Sequence, residues 1–265
     1  MLKRFFAILP SLLALLLLLS LSGCAQTAPS REELSSLVGD AILSDNAGTY
    51  YDGECCGEGH VILGTRLSGA RLKVYALTMY GNYGFQNDMF IKVSGSGVIP
   101  AVLTFEKSGD DWRLLGMEYP LDGAGYTRSI RRMFPLRYRS AALHGDNMHA
   151  ALISQERQYA GEYLQSIGRE AVIGEYRDLH TVLLTDCGVS VEVSNRLIAD
   201  KRLGDYPYWI GTSEYLAGGK RYIRSLSLDE SASQIRYKTV ERESGAVIEV
   251  FFFDALTGEE ISPPT

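Results

Sequence analysis

Eight short stretches rich in Val, Ile, Leu, Phe and Tyr, separated by glycine, serine and aspartate clusters, leave this chain little choice but antiparallel sheet. The first five are residues 60–66, 72–80, 89–93, 98–106 and 112–119. Ser68-Gly69, Ser94-Gly95-Ser96-Gly97 and Lys107-Ser108-Gly109-Asp110-Asp111 mark turns between them. Strands joined by turns this short pair as a meander. A helix over 33–43 precedes them, with Leu34, Leu37, Ala41 and Ile42 on one face and Ser30 as N-cap ahead of Glu32 and Glu33. Helix and meander together predict a sheet with one face against that helix.

Pro120-Leu121-Asp122-Gly123 closes the meander, and the pattern turns helical. Residues 126–133 predict a short helix, Pro135 starts another, and 148–167 form a longer one ended by Gly168. Residues 169–200 fit strand or helix equally. The last three β stretches are 220–228, 234–240 and 246–253. The expected fold class is α+β. Its segments are a helix plus antiparallel sheet (33–123), a helical middle (124–200) and a β-rich C-terminal lobe (201–265). No internal repeat is visible.

The only long apolar run lies at the start. Lys3 and Arg4 precede a run over 5–21, followed by Leu21-Ser22-Gly23-Cys24. This is a secretory pattern, and its ending resembles the bacterial lipobox. The resemblance implies cleavage before Cys24, acyl chains on Cys24, palmitate among them, and a lipid-anchored protein on the extracytoplasmic face of the cell membrane. Residues 1–23 are then the signal peptide and 24–32 a short polar tether. Without Lys3 and Arg4, 24 basic residues face 32 acidic ones, a net charge of about −8. That balance argues against nucleic acid as a partner.

Cys55, Cys56 and Cys187 remain beyond Cys24, an odd number. Glu54-Cys55-Cys56-Gly57-Glu58-Gly59-His60 holds zinc-ligand types, which makes Cys55, Cys56 and His60 metal candidates, yet no second ligand pair follows. A structural turn leading into a strand is the simpler reading. Cys187 could pair with either neighbour.

Several stretches resemble the extracytoplasmic segment appended to BlaR-type membrane metallopeptidases of Firmicutes. They are Glu58-Gly59-His60-Val61-Ile62-Leu63-Gly64-Thr65, Val74-Tyr75-Ala76, Tyr80-Gly81-x-Tyr83-Gly84-Phe85, Gly97-Val98-Ile99-Pro100-Ala101-Val102 and Tyr119-Pro120-x-Asp122-Gly123. The likeness spans roughly 33–165, and Tyr206-Pro207-Tyr208-Trp209-Ile210-Gly211-Thr212 is similar to a motif of the same group. There is no His-Glu-x-x-His, so the resemblance implies a sensing or binding module without the peptidase. The helix-plus-sheet order also resembles cone-shaped domains of the nuclear-transport-factor or cystatin-like type, which carries no function by itself.

Catalytic constellations are scarce. There is no nucleophile elbow, no Ser-x-x-Lys and no Walker spacing around Gly218-Gly219-Lys220-Arg221. No cofactor motif occurs. Glu58 and His60 are the leading catalytic candidates, as the site of a hydrolase-like enzyme, beside a Cys-His dyad of Cys187 or Cys56 with His60. Two binding candidates stand beside them: the arginines Arg128, Arg131 and Arg132 at helical spacing, and the aromatics Tyr206, Tyr208 and Trp209. The leading expectation is a non-enzymatic binding, sensor or accessory module near the membrane, with a membrane protein or envelope ligand as partner. The alternatives are a hydrolase at Glu58/His60 and a structural envelope component.

Overall fold

The computed structural model describes residues 28–262; residues 1–27, with the expected signal peptide and Cys24, and residues 263–265 lie outside the described residues. Ser30 caps helix α1 (Arg31–Asn46) in a capping box. Its Oγ accepts from the Glu33 N–H at 3.1 Å, and its own N–H donates to Glu33 Oε2 at 3.2 Å. The helix therefore begins at Arg31, inside the segment read as tether.

Strands β1 (Cys55–Ser68), β2 (Arg71–Gln86), β3 (Met89–Gly95), β4 (Ile99–Ser108) and β5 (Asp111–Glu118) follow as the meander. After them come α2 (Tyr126–Met133), α3 (Leu136–Leu143) and α4 (His149–Ser166). The ambiguous stretch resolves into β6 (Ile173–Glu175), two turns of tight helix and α5 (Val191–Ala199). The C-terminal lobe has four strands, one more than expected: β7 (Gly211–Ala217), β8 (Lys220–Asp229), β9 (Gln234–Glu241) and β10 (Val247–Asp254). The fold is α+β, as the sequence predicts. All strand pairs are antiparallel except β3 with β6.

β2 organises the sheet. It is long enough to pair with β1 along one edge, with β4 and then β3 along the other, and with β7 through Gln86 opposite Ser213. The three segments read from the sequence thus share one ten-stranded sheet. Both faces of β2 are covered, where the sequence predicts one. Leu72, Val74, Ala76 and Tyr80 pack with Val38, Ala41 and Ile42 of α1. Tyr75, Leu77, Met79, Tyr83 and Phe85 point the other way, against α2, α3 and α4. The helical middle is this second layer. Its hydrophobic partner is the odd-numbered face of β2, which a period-two pattern with apolar residues in both registers does not reveal. In the C-terminal lobe α5 closes a separate core, with Val193 and Leu197 against Leu226, Ile235 and Phe253.

From Cys55 to His60 the cluster is strand rather than the expected turn. Gly57 and Gly59 look like turn residues, but their missing Cβ atoms let α4 lie flush on β1. A Cβ at Gly57 would stand 2.7 Å from Glu156 O, and one at Gly59 2.2 Å from Leu152 O. Gly59→Ala is expected to cost about 1–3 kcal/mol by overpacking, whereas Gly97→Ala, which meets nothing within 4 Å, should leave stability unchanged. Thermal melts of the two variants test this; equal melting temperatures would show that α4 yields without cost.

Candidate functional site

Strand alternation sends Glu58 and His60 to the opposite face from Gly57 and Gly59, towards α1. Their side chains are buried, and His60 Nδ1 lies 2.9 Å from Glu58 Oε2. On the far side of the ring, His60 Nε2 lies 2.9 Å from Ser35 Oγ. Tyr159 of α4 reaches round the edge of β1 and donates to Glu58 Oε1 at 3.1 Å. Gln155, one turn earlier, accepts from the His60 N–H at 3.0 Å and donates to its carbonyl at 3.1 Å. Gly39, one turn after Ser35, makes room for the carboxylate: a Cβ there would meet Glu58 Oε1 at 2.7 Å. Burial, then the adjoining Glu58 charge and hydrogen bond, push the Tyr159 phenol up to about 12, so it stays a donor.

The chain Ser35–His60–Glu58–Tyr159 therefore has a defined polarity. A carboxylate only accepts, so Nδ1 donates to Glu58 and leaves Nε2 to accept from the Ser35 hydroxyl. A hollow of about 540 Å³ opens beside it, walled by Arg31, Leu34, Ser35, Val61 and Ile62. Sequence reading found Glu58 and His60 and missed Ser35, which carries no motif and meets His60 only because α1 crosses this end of β1.

The metal candidates do not converge. Cys55 faces the core with Tyr83, Phe85 and Phe90, while His60 faces α1. Cys56 shares a face with His60 but stands four residues away, about 13 Å along a strand. Among the described residues no group of three or more His, Cys, Asp or Glu is placed to hold a metal ion. Cys55, Cys56 and Cys187 are free thiols, and burial, with Cys56 and Glu54 nearby, pushes the Cys55 thiol up to about 12.

Arg128, Arg131 and Arg132 all lie exposed on α2. Only Arg132 has an ion-pair partner there, Glu118 at 3.3 Å, with both side chains more than half exposed. Such a pair contributes little. The aromatic candidates divide. Tyr206 is core: its hydroxyl bonds Thr239 Oγ1 at 2.7 Å, and its ring meets Tyr237 edge-on. Trp209 is buried against Ile91 and Leu179. Only Tyr208, 51% exposed, presents its ring to solvent. As binding candidates Tyr206 and Trp209 give way to core positions, because the segment before β7 turns inward to fill the junction between the β1–β5 and β7–β10 halves of the sheet.

That junction holds the larger cavity, about 810 Å³. Tyr50 and Tyr51 line one side; Tyr176, Tyr208, Trp209 and Tyr215 line the other. Tyr208 meets Trp209 edge-on at 4.9 Å and is hydrogen-bonded to the Tyr176 hydroxyl. Trp209 Nε1 and Gln86 Oε1, a donor and an acceptor from residues of this wall, are buried without a protein partner among the described residues. The acidic wall residues are mostly neutralised. Glu214 is bound by Arg169 at 2.7 Å, by Arg221 at 3.0 Å and by Arg242, and Glu54 by Arg221. Asp205 pairs with Arg224 at 3.0 Å. Asp52 is the remaining carboxylate, so the cleft is aromatic, polar and near neutral.

No helix among the described residues is long and apolar enough to cross a membrane. Compared with protein-family models, with curated proteins and with solved structures, the chain finds no match in any of the three.

Proposed function

We propose that this is a lipid-anchored extracytoplasmic binding protein, held on the cell membrane through Cys24, whose ligand is a neutral saccharide of the cell envelope. The observation that carries the reading is the cleft at the half-sheet junction. Of its aromatic rings, Tyr51, Tyr176 and Tyr208 are exposed and offer apolar surface to sugar C–H groups, and Asp52, Gln86 and Trp209 offer acceptor and donor capacity between them. Because the buried carboxylates are already ion-paired, a strongly cationic ligand finds no matching charge. The resemblance to extracytoplasmic segments of BlaR-type proteins supports a sensor or accessory role, with binding passed to a membrane-protein partner. The exposed arginines of α2 are the surface offered to that partner or to anionic lipid.

Trp209 is the natural reporter, since Trp112 lies in the α1-side core. In a Trp112→Phe background, titration with wall-derived oligosaccharides is expected to change Trp209 emission saturably. Tyr51→Ala and Tyr208→Ala, both truncating exposed rings, should each weaken the interaction about tenfold without lowering the melting temperature. Equal affinity in both variants would remove the cleft as the binding site.

A further inference from the structure

We propose that Ser35, His60 and Glu58 form a serine-nucleophile relay that hydrolyses an acyl ester carrying an anionic group. The connectivity is that of a nucleophile, base and orienting carboxylate: Oγ to Nε2 at 2.9 Å, and Nδ1 to Oε2 at 2.9 Å. Three separate features hold it. Tyr159 fixes the second oxygen of Glu58, Gln155 fixes the backbone of His60, and Gly39 admits the carboxylate beneath α1.

The hollow beside Ser35 supplies the rest of the site. The His60 N–H points away from β2 to Gln155, so strand alternation directs the Ile62 N–H the same way, towards the hollow that Ile62 lines. It is placed to donate to an oxyanion. Arg31 lies one helical turn before Ser35 on the same face of α1 and makes no ion pair among the described residues. It is the recognition group for the substrate's anion. Leu34 and Ile62, both on the α1 side, give the acyl chain an apolar wall.

In the first half-reaction Ser35 Oγ bonds to the ester carbonyl carbon as its proton passes to His60 Nε2. The carbon–alkoxy bond then breaks, and Nε2 returns the proton to the leaving alkoxide, releasing the alcohol. Water attacks the acyl-serine, giving its proton to Nε2. The bond to Ser35 Oγ breaks, Ser35 regains a proton, and the carboxylic acid leaves. Ester and water become acid and alcohol, with no other reactant.

The test uses the full-length chain in detergent. A fluorophosphonate probe is expected to form an adduct at Ser35, located by peptide mass spectrometry. Hydrolysis of the p-nitrophenyl hemisuccinate should fall about a thousandfold or more in Ser35→Ala and in His60→Gln. Ser35→Ala removes one half-buried hydroxyl, so an unchanged circular-dichroism melt separates lost chemistry from lost fold. Arg31→Ala should raise KM for the hemisuccinate and not for p-nitrophenyl butyrate. Fatty acid released from phosphatidylglycerol vesicles, or acetate released from O-acetylated wall glycan, tells the two sources of such esters apart. No adduct at Ser35, wild-type rates equal to those of Ser35→Ala, or no product from either natural source overturns the proposal. The readouts are independent of saccharide binding at the cleft.

Discussion

Lys92→Met is expected to destabilise the protein by about 3–5 kcal/mol, because it leaves a carboxylate stranded in the core. Glu156 of α4 is fully buried. Lys92 of β3 stands 3.0 Å from one of its oxygens and 3.1 Å from the other, and also donates to Ser96 O at 2.8 Å. Gly81 leaves room for this pair; a Cβ there would fall 1.8 Å from Glu156 Oε1. Burial raises the Glu156 carboxyl above its ordinary range, and Lys92 and Tyr83 pull it back only in part.

The sign of the pH effect follows. A carboxyl whose folded-state affinity for protons exceeds its unfolded one gives stability that is full below the unfolded value of 4.5 and is lost as pH rises through the folded value. Removing Lys92 widens that window, so Lys92→Met should be closest to wild type near pH 4 and furthest from it at neutral pH. Glu156→Gln in the same background should restore much of the loss. Urea unfolding at both pH values measures this. A neutral-pH loss under about 1 kcal/mol would mean that Glu156 is protonated or hydrated without its lysine.

Glu214→Ala is expected to cost a comparable 3–5 kcal/mol and to break the cooperativity of the sheet. Glu214 on β7 is almost wholly buried and receives Arg169, Arg221 and Arg242. Arg221 on β8 also binds Glu54, which enters from just before β1 and accepts from the Tyr163 hydroxyl of α4 at 3.1 Å. Arg169 and Arg221 further lie over the Phe85 ring, at 3.5 and 5.1 Å from its centre. Between β2 and β7 there is one residue pair, supported by the Asn87 N–H bond to Thr212 O at 3.0 Å and the Thr212 N–H bond to Asn87 Oδ1 at 2.7 Å. The ion network therefore adds buried charge pairs to the coupling that this pairing and the Trp209–Ile91 contact provide. Without Glu214, arginines are left uncompensated at the join. Trp112 and Trp209 emission, read separately in Trp209→Phe and Trp112→Phe backgrounds, should follow one urea transition in the parent and two in the variant. Coincident transitions in the variant would show that backbone pairing alone unites the halves.

Much of the fold follows from local rules. The Ser30 cap, the meander turns and the helix ended by Gly168 are short-range choices that sterics and hydrogen bonding make within a few residues. The α+β class follows from them. Gly57 and Gly59 mislead for a physical reason: a glycine needed for close helix approach looks, in sequence, like one needed for a turn. Tyr206 and Trp209 are ambiguous for a like reason, since an aromatic ring serves a core and a binding wall equally well. Local pattern marked Glu58 and His60 as a pair two residues apart but read Glu58 as part of a turn, and had no means of selecting Ser35 from the other serines.

The sequence by itself determined most of the elements, the acidic charge balance and the basic-then-apolar pattern ending at Cys24, because each is written in neighbouring residues. Only the tertiary structure decided that both faces of β2 are covered and that the C-terminal strands continue the same sheet. It alone set Ser35 against His60, 25 residues away, and Glu54 against Arg221, 167 residues away. These contacts depend on how one long strand is shared among four partners, and no periodicity within a strand or helix encodes that.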